Sequence, residues 1–267
     1  MYFITLSRQL GTKGTEIAKL VAKELHYDFY DTEAIEKKAG EMGFLDDIRK
    51  VDDKPPSPLK QLFSWQTETC LEHLYTVIYD LSRYGNAVVL GRGGNMLFRP
   101  IPHALHVRVI ASHEKRVQNL LEKVYRRETA VMIMEKSDQE RSSFIRFAFN
   151  RDWGDPELYD MVLNMDNMTV RSAADTILRA ARLRESQCPS RDGMSPLNLM
   201  ELTAKVKAAL ANAGFPSNYA SPFVNAPGKV RLTGIVHDPR EKLAAEMTAL
   251  KVEGVESVEN RIQIAGS

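Results

Sequence analysis

Residues 3–25 constrain the fold of this chain more than any other stretch. Phe3-Ile4-Thr5-Leu6 has the make-up of a buried strand, and Ser7-Arg8-Gln9-Leu10-Gly11-Thr12-Lys13-Gly14-Thr15 is a polar loop broken by glycine. Glu16 to Leu25 then places Ile17, Leu20, Val21 and Leu25 at helical spacing, giving one apolar face. A strand that feeds a glycine loop and then a helix is the opening of an α/β fold. The same turn is a ready cradle for phosphate, because loop N–H groups and the positive end of the helix dipole converge on one point. A tight strand-to-helix turn with no ligand accounts for the glycines as well.

The rest of the chain repeats the alternation. Ala87-Val88-Val89-Leu90-Gly91, Leu105 to Ile110 and Met161-Val162-Leu163 are short apolar runs of the kind buried on both faces of a parallel sheet. Phe29-Tyr30-Asp31 is a shorter extended stretch. Helices are expected from Thr32, as N-cap, through Met42, from Leu59 to Tyr84, after the cap Ser112, and from about Val170 to Arg184. Asp46 to Pro58 is charged, contains proline and is expected to be an exposed loop. The pattern implies an α/β fold with a parallel sheet flanked by helices over residues 1–186.

Turn residues without periodicity mark residues 187–197 as a linker. Residues 198–267 then form a small α+β unit: helix Leu199 to Leu210, a strand Val230 to Val236 around Gly234, helix Pro239 to Leu250, and a strand from Val255 to Ile264.

Charge and cysteine usage narrow the partners. A net charge of +1 supplies no field for nucleic acid. The two cysteines, Cys70 and Cys188, have no metal-ligand spacing and fit free thiols in a reducing compartment. Met1 to Leu6 is too short for a signal peptide, and no run approaches the ~20 apolar residues of a transmembrane segment, so a cytoplasmic location is expected. His103, His106 and His113 are irregularly spaced and fit surface or core positions, and Trp65 and Trp153 fit core or lid packing.

The loop departs from the standard phosphate-binding pattern G-x-x-x-x-G-K-[ST]. With Thr15 at the closing hydroxyl, where it would meet Mg²⁺, Gly14 stands at the lysine position. Lys13 then falls on the second glycine and Arg8 on the first, while Gly11 gives the middle of the loop its freedom. The cation due at the outer phosphates is therefore one place early, or is replaced by Arg8.

Phe3–Lys19 followed by Phe29-Tyr30-Asp31 resembles the cytidylate kinase-like family, a branch of the nucleoside monophosphate kinases. Members often carry a Ser-Arg-Gln start and two adjacent glycines in place of Gly-Lys. Gly91-Arg92-Gly93-Gly94-Asn95 resembles the Gly-Arg segment after the family's central strand, although Gly93 stands where cytidylate kinases place an aspartate. Val107 to Arg116, Asp138-x-x-Arg141 and Tyr159 to Asn164 resemble its later segments, so the likeness extends over roughly residues 3 to 180.

The resemblance implies transfer of the ATP γ-phosphoryl group, with Mg²⁺, to a nucleotide such as CMP or dCMP or to a similar small acceptor. Ser7, Arg8, Gly11, Thr12, Lys13, Gly14 and Thr15 would hold the donor, and Thr15 the metal. Asp31 and Arg92 would face the acceptor, with Arg92, Arg116, Arg141 and Lys13 as catalytic cations and Asp138 and Arg126 supporting the lid. Such chemistry asks for positioning and charge neutralisation, which arginines supply. Asp31 is equally an N-cap candidate. Asp138 either orients Arg141 or is a first-turn helix acid.

Gly228 to Val236 and Gly254 to Ile262 resemble a BON domain, a module associated with membrane surfaces, ligands or partners and not with catalysis. A packing or homodimerisation module fits the same residues. The variant loop also leaves open a nucleotide-sensing or scaffold protein that has lost turnover.

Overall fold

The computed structural model describes residues 2–53, 65–123, 126–187 and 194–265. The chain divides into two compact units: Met1–Ile35 with Tyr84–Gly193, and Glu36–Arg83 with Met194–Ser267.

The first unit is built on β1 (Phe3–Arg8), α1 (Gly14–Leu25), β2 (Asp28–Tyr30) and the start of α2 (Thr32–Met42). It continues with β3 (Ala87–Leu90), a short α5 (Gly94–Leu97), β4 (Ala104–Ile110), α6 (His113–Leu121), α7 (Arg127–Phe149), β5 (Met161–Asn164) and α8 (Val170–Gln187). The strands form one five-stranded sheet in the order β2-β3-β1-β4-β5. Every pairing is parallel, with Ile4 opposite Val88 and Leu105. Ile4 and Leu6 point to one face, where Ile17 and Val21 of α1 and Ala174 and Ile177 of α8 close the core. On the other face Phe3 stacks on Phe98, with ring centroids 5.0 Å apart.

Thr5 Oγ1 on that second face lies 2.8 Å from Nδ1 of buried His106. Burial pulls the His106 imidazole down to about 4, so it is neutral at physiological pH. The backbone N–H of His106 donates to Asp160 at 2.7 Å, and Arg184 pairs with the same carboxylate at 3.0 Å.

The second unit contains α3 (Leu45–Asp53), α4 (Trp65–Ser82), α9 (Met194–Asn212), α10 (Pro239–Leu250) and five short strands. These are β6 (Ser221–Ala226), β7 (Lys229–Thr233), β8 (Ile235–Val236), β9 (Ser257–Asn260) and β10 (Gln263–Ile264). Helix α4 packs along α9; Lys207 lies 3.5 Å from buried Glu72, and Glu68 accepts from the Ser217 N–H at 3.2 Å.

Several expectations change here. The stretch expected as a loop from Asp46 is helical through Asp53, because Ile48 and Val51 are buried amid the charge; residues 54–58 lie outside the described residues. The start of the helix expected from Leu59 lies outside them too, as do Cys188 and most of the linker. The strand expected over Val230 to Val236 is two strands in different sheets. Gly234 has φ +143°, and a Cβ there would lie 2.2 Å from the Tyr219 carbonyl oxygen, so the chain turns from β7 to β8. The closing strand is likewise divided into β9 and β10. Strand β6, which the sequence did not mark, pairs antiparallel with β7 despite Pro222. Among the described residues no helix is long and apolar enough to cross a membrane.

Candidate functional site

The loop after β1 is shaped from several sides. Gly11 has φ +87°, and a Cβ there would meet the Arg116 carbonyl oxygen at 2.7 Å, so only glycine fits. Gln9 donates to the Val109 carbonyl at 3.1 Å, and its side-chain oxygen accepts from the Ala111 N–H at 3.3 Å. Buried Thr12 donates its hydroxyl to the Gln9 carbonyl at 2.8 Å, and Asn119 donates to the Gly11 carbonyl at 2.8 Å. Arg116 Nε donates to the Leu10 carbonyl at 2.7 Å, while Asp138 accepts from the Leu10 N–H at 3.3 Å and from Arg116 Nη2 at 2.5 Å. Both polar groups of Leu10 are thus fixed by one largely buried ion pair.

Trp153 donates its indole N–H to Ser7 Oγ at 2.8 Å. The indole is held in turn by the Arg108 guanidinium, 4.3 Å from its ring, and the Trp153 carbonyl accepts from Arg108 and Tyr159. The Thr12 hydroxyl therefore spends its proton inside the loop, and the Ser7 hydroxyl is anchored from beneath.

Lys13 occupies the left-handed region at φ 59° and is the N-cap of α1 without a side-chain capping bond. The first N–H groups of α1 therefore have no side-chain acceptor at the N-cap and are donors that the helix itself leaves unused. Its ammonium lies instead 2.9 Å from Glu122.

A second turn follows β3. Gly91, Arg92 and Gly93 all have positive φ, at 79°, 54° and 69°. A left-handed arginine is a conformation that most side chains avoid. A Cβ on Gly91 would lie 2.5 Å from Arg8 Nη1, and one on Gly93 would lie 2.3 Å from the Phe149 ring.

Cations dominate the ground between the two turns. Burial and the neighbouring charges of Arg141 and Arg92 pull the Arg8 guanidinium down to about 9, with Asp31 opposing them. Arg141 is lowered by burial and by Arg116. Its Nη1 is buried without a hydrogen-bond partner, 3.7 Å from Asp138. Guanidinium groups gathered in this way have the chemistry to receive a multiply charged anion.

A cavity of about 240 Å³ brings together Arg8, Gly11, Lys13, Gly14, Thr15 and Arg141. Arg116 and Asp138 support the loop from behind. Asp31 accepts from the Ala34 N–H at 3.2 Å, so it, and not Thr32, is the N-cap of α2. Arg126 is exposed at the start of α7 and outside the cavity lining. Asn119, Glu122 and Phe149 escaped the sequence reading, and Trp153, expected to pack in the core or lid, is buried and also holds the Ser7 hydroxyl; of the three, only Asn119 carried a signal, lying three residues after Arg116 on the same helix face.

Among the described residues no group of three or more His, Cys, Asp or Glu stands ready to hold a metal. The cavity offers the Thr15 hydroxyl, a donor set that fits a Mg²⁺ ion held mainly by phosphate oxygens and water.

A parallel sheet with a glycine loop after β1 and arginines gathered on it defines a kinase-like α/β protein. The chain belongs to the cytidylate kinase-like family, which matches residues 3–167, and residues 199–266 match the BON domain. Among solved structures it resembles an uncharacterized protein from Eubacterium ventriosum, with a TM-score of 0.56 at 19% identity over 68% of this chain and 98% of that one. Shikimate kinase from Aquifex aeolicus aligns with a TM-score of 0.37 at 14% identity over 69% of this chain and 98% of that one. A gluconokinase from Sinorhizobium meliloti aligns at 0.42 and 12% identity over 70% and 95%. No curated protein matches the chain.

Proposed function

We propose that the protein is an ATP-dependent phosphotransferase that moves the γ-phosphoryl group to a nucleotide, such as CMP or dCMP, or to a similar small acceptor. The observation that carries this reading is the gathering of Arg8, Arg92 and Arg141, with a buried guanidinium nitrogen of Arg141 unsatisfied, beside the open first turn of α1. Loop and first-turn N–H groups would bind the donor phosphates, and Arg8 and Arg141 would neutralise charge on the moving phosphoryl group. Thr15 would hold Mg²⁺, which supplies further neutralisation and orients the phosphates. Arg92 and Asp31 would face the acceptor, Asp31 while capping α2. Arg116 and Asp138 would act through the loop, by fixing Leu10. Lys13 would join the phosphates only on leaving Glu122. With ATP as donor, the reaction would belong to the cytoplasm. The BON domain would bind a ligand or partner, or a second copy of the chain.

The test is a steady-state assay of full-length protein with ATP, Mg²⁺ and a panel of nucleoside monophosphates. Turnover of one acceptor well above background is expected; no turnover of any acceptor by folded protein sinks the enzymatic reading. A second reading is favoured by the Lys13–Glu122 pair, which takes the loop's own lysine out of play: a nucleotide sensor without turnover. Calorimetry separates the two, since the sensor binds ATP and transfers nothing.

A further inference from the structure

The loop has no lysine at position 14, and the packing around Gly14 explains why. A Cβ on Gly14 would lie 2.7 Å from Cβ and 3.0 Å from Cγ of Arg8. The Arg8 stem therefore occupies the room that any side chain at 14 would need. The far end of the same residue reaches the other turn, where a Cβ on Gly91 would lie 2.5 Å from Nη1. Arg8 thus spans from the first turn of α1 to the glycine turn after β3. Among the described residues its guanidinium makes no hydrogen bond and no ion pair, although Arg92 and Arg141 press their charge on it.

We propose that Arg8 is the cation that bridges the donor phosphates and the transferred phosphoryl group in place of the missing lysine, and that Gly14 and Gly91 lack side chains because Arg8 passes over both. This rests on reading the site as one for phosphoryl transfer. An arginine suits the post because its fork of donors can hold oxygens of two phosphates at once, where a lysine offers one compact charge. The arrangement also has a thermodynamic signature. A half-buried arginine held among like charges without a partner destabilises the ligand-free protein, and a bound polyanion relieves it. Removing Arg8 should therefore raise stability while removing anion binding, whereas deleting a structural arginine lowers stability.

The experiment uses full-length protein, inorganic tripolyphosphate as the probe, and the variants Arg8→Met and Arg8→Gln. Calorimetry should show tripolyphosphate binding weakened by about 100-fold in both, the loss of charge-assisted bonds to one guanidinium. The ligand-free melting temperature should rise by roughly 2–6 °C in Arg8→Met. Gly14→Lys alone should lose tripolyphosphate binding, because the new stem collides with Arg8. The double variant Arg8→Ala/Gly14→Lys should bind about 10-fold better than Arg8→Ala, the lysine having regained its room. The proposal is overturned if Arg8→Met and Arg8→Gln bind tripolyphosphate as the parent does, if Arg8→Met melts lower than the parent, or if the parent itself does not bind the probe. A parent that binds tripolyphosphate through Arg8 yet phosphorylates no acceptor would support this inference and remove the kinase reading.

Discussion

Gly93 stands where the resemblance leads one to expect an aspartate, and the structure gives that position a measurable cost. In Gly93→Asp two terms add. The backbone sits at φ 69°, where aspartate is among the better tolerated non-glycine residues, so the conformational term is about 1 kcal/mol. The new Cβ would lie 2.3 Å from Cε2 and 2.6 Å from Cζ of Phe149. That ring must swing aside, and it is packed edge-on against Phe144, with centroids 6.2 Å apart. Overpacking of this kind costs about 1–3 kcal/mol, which brings the total to roughly 2–4 kcal/mol. In the Phe149→Ala background the second term disappears and only the backbone term remains, so the pair should couple by ~1–3 kcal/mol in the favourable direction. Urea denaturation followed by Trp153 fluorescence in a Trp65→Phe background, across all four members of the cycle, measures this directly. Coupling below about 0.5 kcal/mol, within the scatter of additive sites, would refute the claim that Phe149 is what excludes an aspartate. So would a Gly93→Asp protein as stable as its parent.

Two further outcomes depend on buried charge. Asp138→Ala leaves buried Arg116 without its partner and the Leu10 N–H without its acceptor, so stability should fall by about 2–4 kcal/mol and ATP affinity should fall with it, read by denaturation and calorimetry; an unchanged protein would show that the pair does not hold the loop. The His106 imidazole, lowered by burial from 6.5 to about 4, binds its proton more readily in the unfolded chain, so its contribution is present above pH 6.5 and is lost as pH falls toward 4. That window is worth about 3 kcal/mol, and His106→Gln, which can keep a bond to Thr5, should flatten the stability profile there; a profile parallel to the parent's would refute it.

The elements that position the site were legible wherever periodicity alone decides them. The β-branched runs at Val88 and Val107 fitted buried strands by length and composition, the spacing of Ile17, Leu20 and Val21 fitted a helix, and all of them meet in one core. Position 234 was legible as a glycine within a strand, but not as the place where one strand becomes two. That outcome depends on the Tyr219 carbonyl, brought there by a segment distant in sequence. The charged run at 46–53 misled for the opposite reason: its apolar pair, Ile48 and Val51, is small beside its acids and basic residues, yet burial of that pair decides the helix.

The site divides along the same line. Its glycines and arginines were visible by type and spacing; their partners were not, because a partner is a tertiary fact. Lys13 and Arg8 were interchangeable candidates for the missing lysine on the sequence. The backbone separates them. A left-handed N-cap at Lys13 leaves its ammonium 2.9 Å from Glu122, a half-exposed pair already close to neutral in sum. Arg8, at the end of β1, has its stem against Gly14 and its head against Gly91, where burial and then the charges of Arg141 and Arg92 lower its affinity for a proton. Of the two cations, Arg8 is the one without an ion pair among the described residues, with only Asp31 opposing Arg141 and Arg92, and its charge is the one we assign to an incoming phosphate.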